Sequence, residues 1–234
     1  MSAKKNTCSN PRYLDFSAEM KVAGITAAIS VRSRNRELNR NSLAKVLGFT
    51  ADRLSIPNQI HSNTVKIVDQ PGVYKKCDGL VTGSPDIVLS LQVADCIPLY
   101  LIDSVQNNLG LIHVGWRGAA AGIVPNAIAK MKNIGSNPSD ITVLIGPCIL
   151  QENFEIGPEV AAHFPNRFLQ TGTADRSYFD LPRFTCRALQ NCGISPDKLF
   201  NTQLDTFSNP VLFHSYRRDG VNAGRIYAVL GWRQ

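Results

Sequence analysis

Residues 79–115 read GLVTGSPDIVLSLQVADCIPLYLIDSVQNNLGLIHVG, and the spacing of their apolar runs decides the fold class. Runs at 79–82, 87–93, 98–103 and 109–115 are short, rich in Val, Ile and Leu, and bounded by Gly, Pro, Asn or Asp, which predicts four strands. Outward from this block the same signal predicts strands over 23–31, 64–69, 141–146, 198–203 and 224–232. Helical signals are fewer. SLAKVLGF (42–49) follows Asn41 as a cap and stops near Gly48. In AAAGIVPNAIAKMKNIG (119–135), Pro125 must kink the helix or shift its start. DLPRFTCRALQNCGI (180–194) opens on Asp180 as a cap and closes at Gly193. Strands outnumber helices and several read as hairpin-connected, which favours an α/β (α+β) sandwich with mixed sheets over repeated βαβ units.

The chain has 234 residues, 44% of them hydrophobic, enough for a substantial core. No repeat or linker interrupts it, so one domain spanning 1–234 is expected, with residues 1–20 disordered or loosely attached. The net charge of +7 suits an anionic partner. The densest basic stretches, 31–40 and 216–220, lack the aromatic interleaving of a base-stacking surface, so nucleic acid is not the expected partner. No run approaches the roughly 20 apolar residues of a membrane span. The first residues carry lysines without an apolar core, which argues against a secretory signal. The six cysteines form no C-x-x-C pair, so reduced thiols and a cytoplasmic location are expected.

His113 ends an apolar strand and Gly-Trp-Arg-Gly follows at once. A strand, a glycine turn and a helix leave backbone N–H groups facing an anion, with Arg117 as a bidentate grip on phosphate or carboxylate. A tight packed turn with Arg117 in solvent is the other reading, and the stretch alone leaves both open. Cys96, in VADCIPLYLID, is either a thiol presented at a strand end or a small buried hydrophobe. Asp95 beside it needs a partner if buried. Its charge would raise the thiol pKa unless a cation or metal lies close. His61 precedes a strand in a polar turn, with Gln59 on its face if the backbone is extended. His61, Cys96 and His113 together suit a catalytic zinc site with an open fourth position, although their separations match no local zinc pattern. His163 and His214 read as packing or surface residues. Phosphate-binding loop, dinucleotide-binding, nucleophile-elbow and zinc-deaminase signatures are absent.

The blocks NQIHSNTVKIVD (58–69), CDGLVTGSPDIVLSLQVADCIPLYLID (77–103), LGLIHVGWRGAAAGIV (109–124), IGPCILQENFEIGPEV (145–160) and FHSYRRDGVNAGRIYAVLGW (213–232) resemble, in order, the laccase-domain family. Its members were formerly called multicopper polyphenol oxidoreductases. They are also described as purine nucleoside phosphorylases or peptidoglycan editing factors. The resemblance implies a four-layer α-β-β-α sandwich and a catalytic zinc ion held by His61, Cys96 and His113, with copper at most a substitute. It implies phosphorolysis of adenosine, inosine, guanosine and methylthioadenosine, with adenosine deamination, and so a purine nucleoside and phosphate as partners; the sequence leaves the oligomeric state open, with a monomer slightly favoured. Arg117 is the candidate phosphate contact. Gln59, Asp78, Cys148 and Phe154 are candidate pocket lining. True laccase chemistry needs many imidazole ligands for several coppers, and four histidines cannot furnish them.

Two departures from the family pattern stand out. The N-terminal block around AAISVRSRNRELNRNSLAKVLG is abbreviated, with Arg32 or Arg34 as stand-ins for a family arginine. A Cys-Thr pair common in the family is Asp205-Thr206 here. Two other readings compete. One is a Cys-His hydrolase editing cytoplasmic peptidoglycan precursors, with Cys96 as nucleophile and His113 or His61 as base. The other is a catalytically weakened binding protein of the same fold.

Overall fold

The computed structural model describes residues 11–33 and 37–233. Arg34 lies outside them. The chain builds a mixed α/β structure around two six-stranded mixed sheets. The first runs β1 (Tyr13–Asp15), β2 (Ile25–Ser30), β15 (Ile226–Trp232), β7 (Val88–Val93), β3 (Leu54–Pro57) and β5 (Gly72–Tyr74). The second runs β14 (Leu199–Asn201), β10 (Ile141–Ile145), β8 (Ile97–Asp103), β9 (Asn108–Val114), β6 (Gly79–Thr82) and β4 (Val65–Ile67). A small third sheet orders β11 (Glu155–Ile156), β13 (Ser177–Phe179) and β12 (Leu169–Thr171). All nine expected strands form, with ends within two residues of the apolar runs.

The four strands of residues 79–115 do not stay together. β6, β8 and β9 belong to the second sheet, and β7 to the first, between β15 and β3. The chain therefore crosses from one sheet to the other at Ala94-Asp95-Cys96, between β7 and β8. β8 and β9 are buried along their whole length because both of their faces are covered. Side chains alternate across a strand. Tyr100, Ile102, Leu109 and Leu111 accordingly join the core between the sheets. Ile97, Leu99, Leu101, Ile112 and Val114 point the other way, into a second core with the helices. The Tyr100 hydroxyl ties the sheets together by donating to the Ala28 carbonyl at 2.9 Å.

The helices are α1 (Arg40–Val46), α2 (Trp116–Ala120), α3 (Ile123–Asn133), α4 (Pro158–Ala161), α5 (Leu181–Asn191) and α6 (Tyr216–Asp219). Asn39, rather than Asn41, caps α1, its side chain accepting from the Ser42 N–H. The expected helix at 119–135 is broken at Gly122, whose φ of 83° favours glycine. α3 starts just after it, so Pro125 falls in the first turn, where its missing N–H costs nothing. Asp180 caps α5 as expected, accepting from the Arg183 N–H at 2.9 Å. The expectation of loose attachment for residues 1–20 is corrected for 11–20. β1 pairs with β2, and Phe16 and Met20 are each only 2% exposed in the core between the sheets.

Candidate active site

The side-chain period places the site. His113 follows Leu109 and Leu111 on the face of β9 that looks between the sheets, and Asp78 shares a face with Leu80 just ahead of β6. Strand pairing sets these two residues opposite each other, and the His113 N–H donates to the Asp78 carbonyl at 2.6 Å. The Asp78 carboxylate, fully buried, then organises both histidines. It contacts His113 Nδ1 at 2.8 Å. It also accepts the backbone N–H groups of Ile60, His61 and Ser62 at 3.2, 2.9 and 2.7 Å, and the Ser62 hydroxyl at 2.8 Å. These bonds hold His61 at a φ of 59°, in the left-handed region.

His61, Cys96 and His113 thereby converge, each offering a ligand atom within 4.8 Å of the others. The imidazole rings meet edge-on, with centroids 4.9 Å apart. Burial pushes the Cys96 thiol up, but the charge and hydrogen bonds of His113, with a smaller contribution from His61, outweigh it and favour the thiolate. Burial likewise opposes an imidazolium at His113, and the Cys96 thiolate and Asp78 overcome it. The Asp78 carboxyl, raised by burial, is held down at about 2 by His113 and Ser62. Two imidazoles and an activated thiolate, with Nδ1 of His113 occupied by a carboxylate so that Nε2 is left for a ligand, fit a metal ion. His61 is exposed, which leaves access from outside.

The two glycines of GWRG serve close approach. Gly115 is extended, at φ −92°, and a Cβ there would lie 3.0 Å from Cys96 Sγ and 3.3 Å from His61 Cδ2. At Gly118 a Cβ would lie 2.8 Å from the Ser62 carbonyl oxygen. Gly118→Ala must therefore displace the turn that carries His61, and a loss of about 1–3 kcal/mol is expected in denaturant unfolding. An unchanged midpoint would refute this packing role.

A cavity of about 740 Å³ opens beside the three ligand candidates. Gln59, Arg117 and Phe154 are among the residues that line it. Gln59, however, spends its amide on the Gln92 backbone, donating to the carbonyl at 2.8 Å and accepting from the N–H at 3.0 Å. Two expectations are corrected. Asp78 is buried behind the histidines rather than lining the cavity. Cys148 is 1% exposed in the helix-side core, bridged to Asp205, and burial pushes its thiol well up. The helix after His113 is a five-residue turn, so positive charge in the cavity comes from side chains. Arg117 lies 4.4 Å from the Trp116 ring centroid. Arg217 and Arg225, which sequence reasoning missed as site residues, also line the cavity. Arg217 sits in the basic stretch 216–220 and Arg225 just beyond it, and local composition gave no sign of the fold-back. Arg32 instead reaches Pro210, donating to its carbonyl at 3.3 Å. His163 is exposed beside Trp116, and His214 pairs with Glu37 at 3.0 Å.

Residues 5–233 match the family described as multi-copper polyphenol oxidoreductase laccase, and the chain belongs to it. A purine nucleoside phosphorylase of Deinococcus radiodurans is 35% identical over 196 residues, covering 82% of this chain and 76% of that protein. A protein named adenosine deaminase RL5, from an unknown prokaryotic organism, is 30% identical over 205 residues, covering 80% of this chain and 78% of that one. YlmD of Geobacillus stearothermophilus shares the fold, with a TM-score of 0.88 at 25% identity over 96% of this chain and 97% of its own. No helix among the described residues is long and apolar enough to cross a membrane.

Proposed function

We propose that this chain, acting as one domain, is a zinc-dependent purine nucleoside phosphorylase that takes adenosine, inosine, guanosine and methylthioadenosine and also deaminates adenosine. One observation carries the reading. A single cavity joins a His-Cys-His ligand set to three guanidinium groups, Arg117, Arg217 and Arg225, and among the described residues none of the three is in a salt bridge. Its volume lies in the range of small-molecule sites. The names of the relatives, purine nucleoside phosphorylase and adenosine deaminase, support the same reading.

In this reading His61, Cys96 and His113 hold the ion, and Asp78 fixes the orientation of His113 and the turn of His61. Zinc, for which copper is at most a substitute, supplies Lewis-acid polarisation of a substrate oxygen or activation of water when bound. Phosphorolysis forms a bond from a phosphate oxygen to the ribose C1′, while the base departs with the electrons of its glycosidic bond and takes up a proton. Arg117 contributes charge for the phosphate, and the ring faces of Phe154 and Trp116 suit a planar base. Deamination adds water at C6 of adenine in the same cavity and breaks the C6–N6 bond, the amine leaving as ammonia with one proton of that water and N1 keeping the other.

The deciding experiment incubates metal-quantified protein with adenosine, with and without phosphate. Phosphate-dependent adenine release supports phosphorolysis, and inosine formed without phosphate supports deamination. Neither product would overturn the proposal and leave a binding protein. Arg117→Ala is expected to raise the phosphate KM about tenfold, the loss of a hydrogen bond to a charged group, and to spare the adenosine KM. Wild-type phosphorolysis in that variant would sink the phosphate role.

A second reading has one observation in its favour: Cys96, His113 and Asp78 stand in the order of nucleophile, base and orienting acid. That is the arrangement of a Cys-His hydrolase, with an amide in a cytoplasmic peptidoglycan precursor as candidate substrate. Metal content separates the two, because a bound ion occupies the thiolate.

A further inference from the structure

Asp95 answers the question of what a carboxylate does next to a ligand cysteine. It is 8% exposed, and both of its oxygens are committed away from the thiol. Thr206 donates its hydroxyl to Oδ1 at 2.6 Å, and the Arg217 backbone N–H donates to Oδ2 at 2.7 Å. The Asp95 carbonyl accepts from the Ile149 N–H at 2.9 Å. Its φ of 89° lies where non-glycine residues are rarely found, so these bonds hold a conformation that the chain would otherwise leave.

The tie therefore joins the sheet crossover that presents Cys96 to the turn at Thr206 and to α6. Two adjacent arginines on α6 divide their work. Arg218 is spent on structure, donating to the carbonyls of Thr206, Phe207 and Phe213 at 3.0, 2.9 and 2.9 Å and pairing with Asp219 at 2.8 Å. The Arg217 guanidinium instead faces the cavity, 5.6 Å from the Phe154 ring centroid. Arg225, by contrast, donates to the Ala223 and Gly224 carbonyls.

We propose that Arg217 is a second phosphate-gripping residue, and that Asp95 and Thr206 are positioning residues that set its distance from the Cys96 crossover. The proposal rests on the phosphorolysis reading. It assigns Thr206, the half of the Cys-Thr pair that this chain retains, a place in that reaction.

The test compares Thr206→Val, Thr206→Ser, Arg217→Ala and the double variant Thr206→Val/Arg217→Ala. Metal content, adenosine KM and phosphate KM are measured for each. Thr206→Val is expected to raise the phosphate KM about tenfold, with the adenosine KM and metal stoichiometry changed less than about twofold. Thr206→Ser, which keeps the donor, is expected to stay within about twofold of wild type. If Thr206 acts through Arg217, the double variant matches Arg217→Ala instead of multiplying the two effects. Multiplicative effects, equal rises in both KM values, or metal loss in Thr206→Val would overturn the proposal. If the wild-type protein releases no base with phosphate, the functional reading fails by itself. The tie is then read from calorimetric titration with inorganic phosphate and from hydrogen exchange of the Arg217 amide. Weaker phosphate binding and faster exchange in Thr206→Val, both restored in Thr206→Ser, support it; no change in either overturns it.

Discussion

Cys96→Ala is expected to remove bound metal and to lower phosphorolysis by about three orders of magnitude, the rate equivalent of the several kcal/mol that a Lewis-acid centre supplies. The reason lies in the ligand set. His61 and His113 alone leave two imidazole donors, one of them exposed, whereas the thiolate is the anionic member and is favoured by both imidazoles. The loss should be chemical rather than structural. Cys96 lies at the end of the core between the sheets, not within its fully buried part, so the unfolding midpoint should move little when both proteins are compared free of metal. Metal analysis and turnover on the same preparation check this. A variant that still binds one equivalent of metal would remove Cys96 from the ligand set. A wild-type protein without stoichiometric metal, inactivated by the same substitution, would point to the hydrolase reading.

Asp78→Ala is expected to cost both stability and metal affinity. The carboxylate is fully buried and answers three backbone N–H groups, one hydroxyl and one imidazole. Its removal orphans those donors, and a loss of about 3–5 kcal/mol follows from breaking a buried charged network. Metal affinity should fall by about 10–100-fold, because His113 loses the partner that sets its ring and His61 the turn that aims it. Asp78→Asn separates the two effects. It preserves volume and one acceptor, so most of the fold survives while the histidine geometry does not. Denaturant unfolding and metal titration of both variants provide the check. Wild-type affinity in Asp78→Asn would mean that the histidines are placed by β9 and the 58–64 turn without the carboxylate.

The strands that build the site were legible because their apolar runs are four to seven residues long and end at turn residues. Six others, β1, β3, β5, β11, β12 and β13, have only two to four residues each and carry no periodic signal that a window can detect. The helix after His113 shows a related limit. Its apolar spacing continues across Gly122, but the left-handed backbone there splits it into α2 and α3.

By itself the sequence determined the α/β class with mixed sheets, the strands that carry the site and the family. Each of these depends on local periodicity or on motifs contiguous in the chain. Tertiary structure alone decided that β7 and β8 lie in different sheets, so that the crossover between them delivers Cys96 to two histidines from other segments. It also showed Asp78 to be the buried anchor of those histidines and turned Asp95 toward Thr206 and α6. The physical reason is common to the two carboxylates. A buried carboxylate needs hydrogen-bond donors, and its donors come from wherever the packed sheets bring the chain, at separations in sequence that local spacing does not encode.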